Sequence, residues 1–139
     1  MLSTSEIRTV LARHRETGPL FHDVFPADKI PRPLPLGKAC IVNTDPSYLE
    51  GEHWVAIYRH SSARAYYFDP LGIAPIIPLP PIKVTYNRAR LQGDQPFCGY
   101  YVLLFVLSLA RPGLLDMFTP HCATNDSTAR LLALKEFGL

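Results

Sequence analysis

The chain has 139 residues and a mass of 15.6 kDa, which fits one domain spanning 1–139 and leaves little room for a second. Its net charge is only +2 with charged residues at 19%, so no nucleic-acid footprint can be read from its scattered Lys and Arg. A hydrophobic fraction of 47% supplies one packed core and argues against disorder.

Ser3 to Glu16 reads as a helix: Ser3 or Thr4 can cap it, and Ile7, Val10 and Leu11 recur at helical spacing until Thr17-Gly18-Pro19 stops it. This opening mixes charged and apolar residues and lacks a signal peptide's apolar stretch. Leu20 to Gly37 is turn-rich, with Pro31, Pro33 and Pro35 forcing an extended path. Three strands follow at Ala39–Asn43, His53–Tyr58 and Ala65–Asp69, the last two joined as a hairpin. The proline-rich segment 75–81 cannot be a central strand, and Lys83–Tyr86 is a further short one. Phe97–Ala110 is a continuous apolar run, too short to span a bilayer and suited to a buried helix. A last amphipathic helix covers about Ser127–Phe137, with Leu131, Leu132, Leu134 and Phe137. This order of elements predicts an α+β domain: a small mixed or antiparallel sheet packed against a central helix, with flanking helices.

The three cysteines, Cys40, Cys98 and Cys122, cannot all pair, which points to a reducing, intracellular compartment. A free cysteine is ordinarily a small core residue. Cys98 has more in its favour, because it opens the central helix, where the macrodipole and unpaired N–H groups stabilise a thiolate. Gly99 behind it lets a substrate backbone approach closely. A thiolate nucleophile needs an imidazole, and the imidazole an acceptor. His53 starts one strand of the hairpin and Asp69 ends the other, which makes them neighbours across the pair. Gln92 and Gln95 both precede Cys98 in a polar loop, and either amide could serve an oxyanion; spacing alone does not choose. His121-Cys122 with Cys40 lacks zinc-ligand spacing, so no metal or other cofactor is expected. His14, His22 and His60 read as surface or loop residues.

The order His53, Asp69, Gln92, Cys98, with His-Trp opening a strand and Gln-x5-Cys-Gly opening a helix, resembles the adenovirus-type cysteine proteases (adenain). It more distantly resembles the ubiquitin-like-protein-specific proteases of the same clan. Ala39–Thr44, Gly51-Glu52-His53-Trp54-Val55-Ala56, Tyr67-Phe68-Asp69-Pro70-Leu71-Gly72 and Cys98-Gly99-Tyr100 are similar to that family's segments, and the likeness runs over roughly residues 3–112. The resemblance implies a cysteine endopeptidase with His53, Asp69 and Cys98 catalytic, and Gln92 with the Cys98 N–H holding the oxyanion. Trp54 would floor the substrate cleft beside Gly99. It also implies viral capsid or core precursors as substrates, cut after small Gly-type residues, in host nucleus and virion. The alternatives are a deconjugating protease for ubiquitin-like modifiers and a non-catalytic module that retains the fold.

Three departures matter. Asp69 stands where adenovirus enzymes commonly carry Glu, as in the ubiquitin-like proteases. Only Arg111–Leu139 follow the central helix, so much of the family's C-terminal region is expected to be trimmed. The family's activators are a peptide and DNA, yet no cysteine lies between Asp69 and Gln92 to tether a peptide by disulfide. A non-covalent peptide is therefore the expectation, with DNA at most a weak partner and no membrane partner.

Overall fold

A computed structural model describes residues 1–48 and 53–139; Gly51 and Glu52 of the histidine segment lie outside the described residues. The α+β architecture expected from the sequence is the one observed. Five strands, β1 (Phe21–Pro26), β2 (Ala39–Asn43), β3 (Trp54–Arg59), β4 (Arg64–Phe68) and β5 (Lys83–Tyr86), form one sheet in chain order. The inner pairs β2–β3 and β3–β4 are antiparallel, and both edge pairs, β1–β2 and β4–β5, are parallel.

Three helices accompany the sheet: α1 (Thr4–Arg13), α2 (Cys98–Ala110) and α3 (Asn125–Phe137). Ser3 resolves the choice of cap for α1, since its hydroxyl accepts the Glu6 N–H while the Glu6 carboxylate accepts the Ser3 N–H, a reciprocal capping box. The helix ends at Arg13, short of the expected Glu16, and Glu16 instead pairs with Arg111. Arg111 also reaches Glu136 at 2.9 Å, tying α3 to the segment after α1.

Helix α2 is apolar on every side because it is buried on every side, with Tyr101 through Leu107 nearly inaccessible. Each of its fully buried leucines contributes about 1.5–3 kcal/mol by transfer from water. It packs with Ile7, Leu11, Ile41, Trp54, Phe68 and the α3 alanines in the main core. The opposite sheet face has its own smaller core of Val42, Val55, Ile57 and Tyr67, covered by Ile30, Leu34 and Ile77 from the proline-rich segments. Those segments, too rich in proline to be central strands, act as a lid on the sheet.

Two expectations need correction. Phe21–Pro26 is a strand, not part of a turn-rich path. A register shift between Phe21 and Asp23 breaks its period-two alternation, leaving Phe21 and Val24 buried three positions apart. Pro26 is tolerated because β1 is an edge strand. Its outer side is occupied by Arg8, whose Nε donates to Asp23 at 2.6 Å and whose guanidinium also donates to the Val24 carbonyl. The second correction concerns α3, which starts at Asn125 rather than Ser127 and buries Ala129 and Ala133 while Leu131 is 62% exposed. The alanines fill the centre of the packed face, flanked by Leu132 and Phe137, which also reach the core.

Candidate active site

Strand ends deliver the first two residues. Trp54–Arg59 and Arg64–Phe68 pair antiparallel with Ala56 opposite Phe68; continued one step, that register sets Asp69, just after β4, opposite Val55, and makes His53, two residues earlier, its diagonal neighbour. The His53 Nε2 lies 2.6 Å from the Asp69 Oδ1. Both side chains are largely shielded, at 16% and 5% exposure, where a charged hydrogen bond is stronger than in water. Asp69 is itself held on three sides. Its Oδ1 accepts the Leu71 N–H at 2.8 Å, its N–H donates to the Asn87 Oδ1 at 2.9 Å, and its carbonyl accepts from the Asn87 amide. The turn Asp69-Pro70-Leu71-Gly72 closes with a Gly72 N–H to Asp69 carbonyl bond. Gly72 sits at φ +71°, and a Cβ there would lie 2.8 Å from the Ala89 backbone, so both conformation and space require glycine.

Cys98 is the first residue of α2 and buried. The N-cap, Phe97, offers no side-chain acceptor and the first turn carries no acidic residue. The Tyr100 N–H turns back to the Phe97 carbonyl at 3.0 Å, which leaves the Cys98 and Gly99 N–H groups at the positive end of the helix to stabilise an anion at Cys98. The sulfur accepts the Trp54 N–H at 3.5 Å. With Nε2 committed to Asp69, Nδ1 is the ring nitrogen left to serve the thiol, an assignment drawn from the hydrogen-bond network. Burial alone would push the His53 imidazolium toward losing its proton. The hydrogen bond to Asp69 and the influence of Asp69 and Cys98 override that and raise its pKa to about 9.

The other two thiols sit in different surroundings. Cys40 is buried inside the sheet, where desolvation and the Asp23 charge push its thiol up to about 12, an inert core group. Cys122 is exposed, and hydrogen bonds from Thr124 hold its thiol below the usual range. It shares a cavity of about 330 Å³ with His121, Arg90 and Gly93, on the flank of the glutamine loop.

Gln92 is 7% exposed, whereas Gln95 is exposed. The Gln92 amide donates to the Gln95 carbonyl at 2.9 Å, and its Oε1 is buried without a partner. A buried orphan acceptor costs about 1–3 kcal/mol, which marks this side chain as held for more than packing. Pro70, beside Asp69, accepts the N–H groups of both Leu91 and Gln92 at 2.9 Å, so the catalytic turn and the glutamine loop share an anchor.

The two cleft candidates differ. The Trp54 indole is 3% exposed in the main core, with its Nε1 donating to the Leu2 carbonyl at 3.0 Å; it walls a cavity of about 260 Å³ alongside Asn43 and Arg8. The space over Gly99 is filled by Leu2, whose side chain would meet an added Cβ at 3.0 Å. Close approach at Gly99 is therefore packing of the N-terminal segment rather than room for a substrate backbone. Among the described residues, no group of three His, Cys, Asp or Glu is placed to hold a metal.

Sequence reasoning missed Asn87, Asn125 and Asp126. Asn125 donates to the Leu91 and Thr119 carbonyls, and Asp126 accepts from the loop's own N–H groups. The signal available was a polar Asn-Asp pair just ahead of an amphipathic helix, which reads as ordinary capping.

No family model and no curated protein matches the chain. Among experimental structures, it is similar to the crystal structure of the ASFV pS273R protease, with a TM-score of 0.50 and 21% sequence identity. The alignment covers 72% of this chain and 43% of that one, so the chain spans less than half the length of its structural relative. What the two share is the fold.

Proposed function

We propose that this chain is a cysteine peptidase. The observation that carries the reading is a single imidazole, His53, hydrogen-bonded to Asp69 and next in sequence to Trp54, whose N–H donates to the Cys98 sulfur at the start of a buried helix. The protease with which it shares its fold supports the same class of activity.

In the mechanism, His53 takes the Cys98 proton and Asp69 holds the resulting imidazolium. The sulfur attacks the scissile carbonyl, and the Cys98 N–H and the Gln92 amide receive the oxyanion. His53 then protonates the departing amine, leaving a thioester. Water, deprotonated by His53, releases the acid and restores the thiol. By resemblance, the substrates are viral structural precursors cut after Gly-type residues. Gly99 does not carry that specificity, since Leu2 fills the space over it. The location that suits this reading is a reducing one, host nucleus or virion, with any peptide activator bound non-covalently.

The test is hydrolysis of a Gly-Gly peptide reporter in reducing buffer, with the thioester trapped on Cys98 and read by mass spectrometry. Turnover that survives Cys98→Ala sinks the proposal. A ubiquitin-like fusion run beside the peptide separates a deconjugating enzyme from a precursor-processing one. The presence of Asp69 rather than Glu is the one feature that favours the former.

A further inference from the structure

Helix α3 takes no part in the mechanism, yet it carries a carboxylate buried to 7% exposure directly behind the glutamine loop. Burying a carboxylate is costly unless donors surround it. Asp126 has three: the Gly93 N–H at 2.9 Å, the Gln95 N–H at 3.1 Å and the Tyr101 hydroxyl at 2.8 Å. The two N–H groups bracket Asp94 and lie on either side of the turn that begins at Gln92. Tyr101 lies one turn after Cys98 on α2. One carboxylate thus links the loop bearing an oxyanion donor to the helix bearing the nucleophile. The approach is tight, because a Cβ on Gly93 would sit 2.9 Å from the Asp126 Oδ2.

Resting on the peptidase reading, we propose that Asp126 is a positioning residue. It fixes the loop 92–95 against the start of α2, and so sets the spacing between the Gln92 amide and the Cys98 N–H. Asn125 supports the same task one residue earlier through the Leu91 carbonyl. Burial and the neighbouring carboxylate raise the Tyr101 pKa, which keeps that phenol a neutral donor to Asp126. Asp126 touches neither substrate nor sulfur. Its influence passes through the two backbone N–H groups, and a misplacement of about 1 Å in such a support can cost ~10²-fold in rate.

The experiment compares the full chain with Asp126→Asn, which places an NH2 against a backbone N–H, and with Gly93→Ala, which forces the loop off the carboxylate from the other side. Three readouts are taken: kcat and KM on the Gly-Gly reporter, the iodoacetamide alkylation rate of Cys98 by peptide mapping, and amide hydrogen exchange at Gly93 and Gln95. Both variants should lower kcat by roughly 10–100-fold with KM within about twofold. Cys98 alkylation, which forms no oxyanion, should stay within about twofold. Exchange at Gly93 and Gln95 should accelerate in Asp126→Asn. Unchanged exchange, or a loss of turnover that tracks a loss of Cys98 alkylation, overturns the proposal. A wild-type chain that alkylates at Cys98 but never hydrolyses peptide overturns the peptidase reading instead, and the exchange comparison still decides whether Asp126 holds the loop. Should Asp126→Asn fail to fold, Gly93→Ala and Tyr101→Phe decide it by the same kcat against KM split.

Discussion

The His53–Asp69 pair and the glutamine loop that leads into Cys98 are built in opposite ways. The pair is a by-product of a hairpin: two adjacent strands meet in register, and residues just past their ends must be neighbours. The loop has no regular structure from 87 to 97 and borrows its shape from elsewhere. Asn125 and Asp126 hold it from α3, Tyr101 from α2, and Pro70 from the catalytic turn. The pair is thus held by local strand pairing, whereas the loop is held by long-range side chains. The first should resist perturbation at a distance; the second should be sensitive to it.

The harshest way to break this contrast is to remove the atom both halves serve. Cys98→Ala should lower hydrolysis by about 10⁴-fold or more, while Cys40→Ala stays near wild type in rate. Asp69→Asn, which attacks the pair, should cost about 10²–10⁴-fold. It also carries a pH signature. The raised His53 pKa means that the fold prefers the imidazolium. That stabilisation is complete below the free imidazole value of ~6.5 and is lost as pH rises through about 9. Thermal midpoints of wild type and Asp69→Asn should therefore differ most near pH 6 and converge toward pH 10. The alkaline limb of kcat/KM, near 9 in wild type, should move down in the variant. A limb that stays in place means that Asp69 does not set the imidazole's affinity for protons.

Gln92→Ala attacks the other half and should cost roughly 10²–10³-fold in kcat, whereas Gln95→Ala, which keeps its backbone contacts, should stay within about threefold. Equal losses would reverse the assignment. Thiol mapping sharpens the comparison further. With the native chain, iodoacetamide should modify Cys98 and Cys122 at neutral pH and spare Cys40 until the protein unfolds, because only Cys40 is both buried and pushed up to about 12. The smallest expected effect is that of DNA. At physiological salt it should change turnover by less than about threefold, since a net charge of +2 offers few phosphate contacts.

The same contrast explains what could be read from residues alone. Alternating aromatic strands around a polar turn signal a hairpin, so the His53–Asp69 neighbourhood followed from pairing rules. Phe97–Ala110 announced itself by unbroken hydrophobicity, and with it the place of Cys98. Strand β1 was hidden because its bulge destroys the period-two pattern and Pro26 closes it. Helix α3 was placed two residues late, and its leucine stripe was only part of the packed face: Leu132 and Phe137 reach the core, but so do Ala129 and Ala133, which carry a weak hydrophobic signal, while Leu131 is exposed. Gly99 was expected to leave room for a substrate backbone because nothing local indicates that Leu2 returns to cover it. Asp126 had no readable partner at all, since hydrogen bonds to backbone N–H groups leave no trace in residue identity.

Arg8, on the outer side of β1, borders the same cavity as Trp54, and its contacts also bear on how the protein behaves in company with copies of itself. A sheet edge normally presents free carbonyl and N–H groups that a stray strand can join. Here the Val24 carbonyl already accepts from the Arg8 guanidinium, Asp23 is neutralised by the same side chain, and Pro26 has no N–H to offer. This edge therefore repels strand-by-strand growth, and Arg8→Ala, silent for catalysis, should show itself as faster aggregation in concentrated solution.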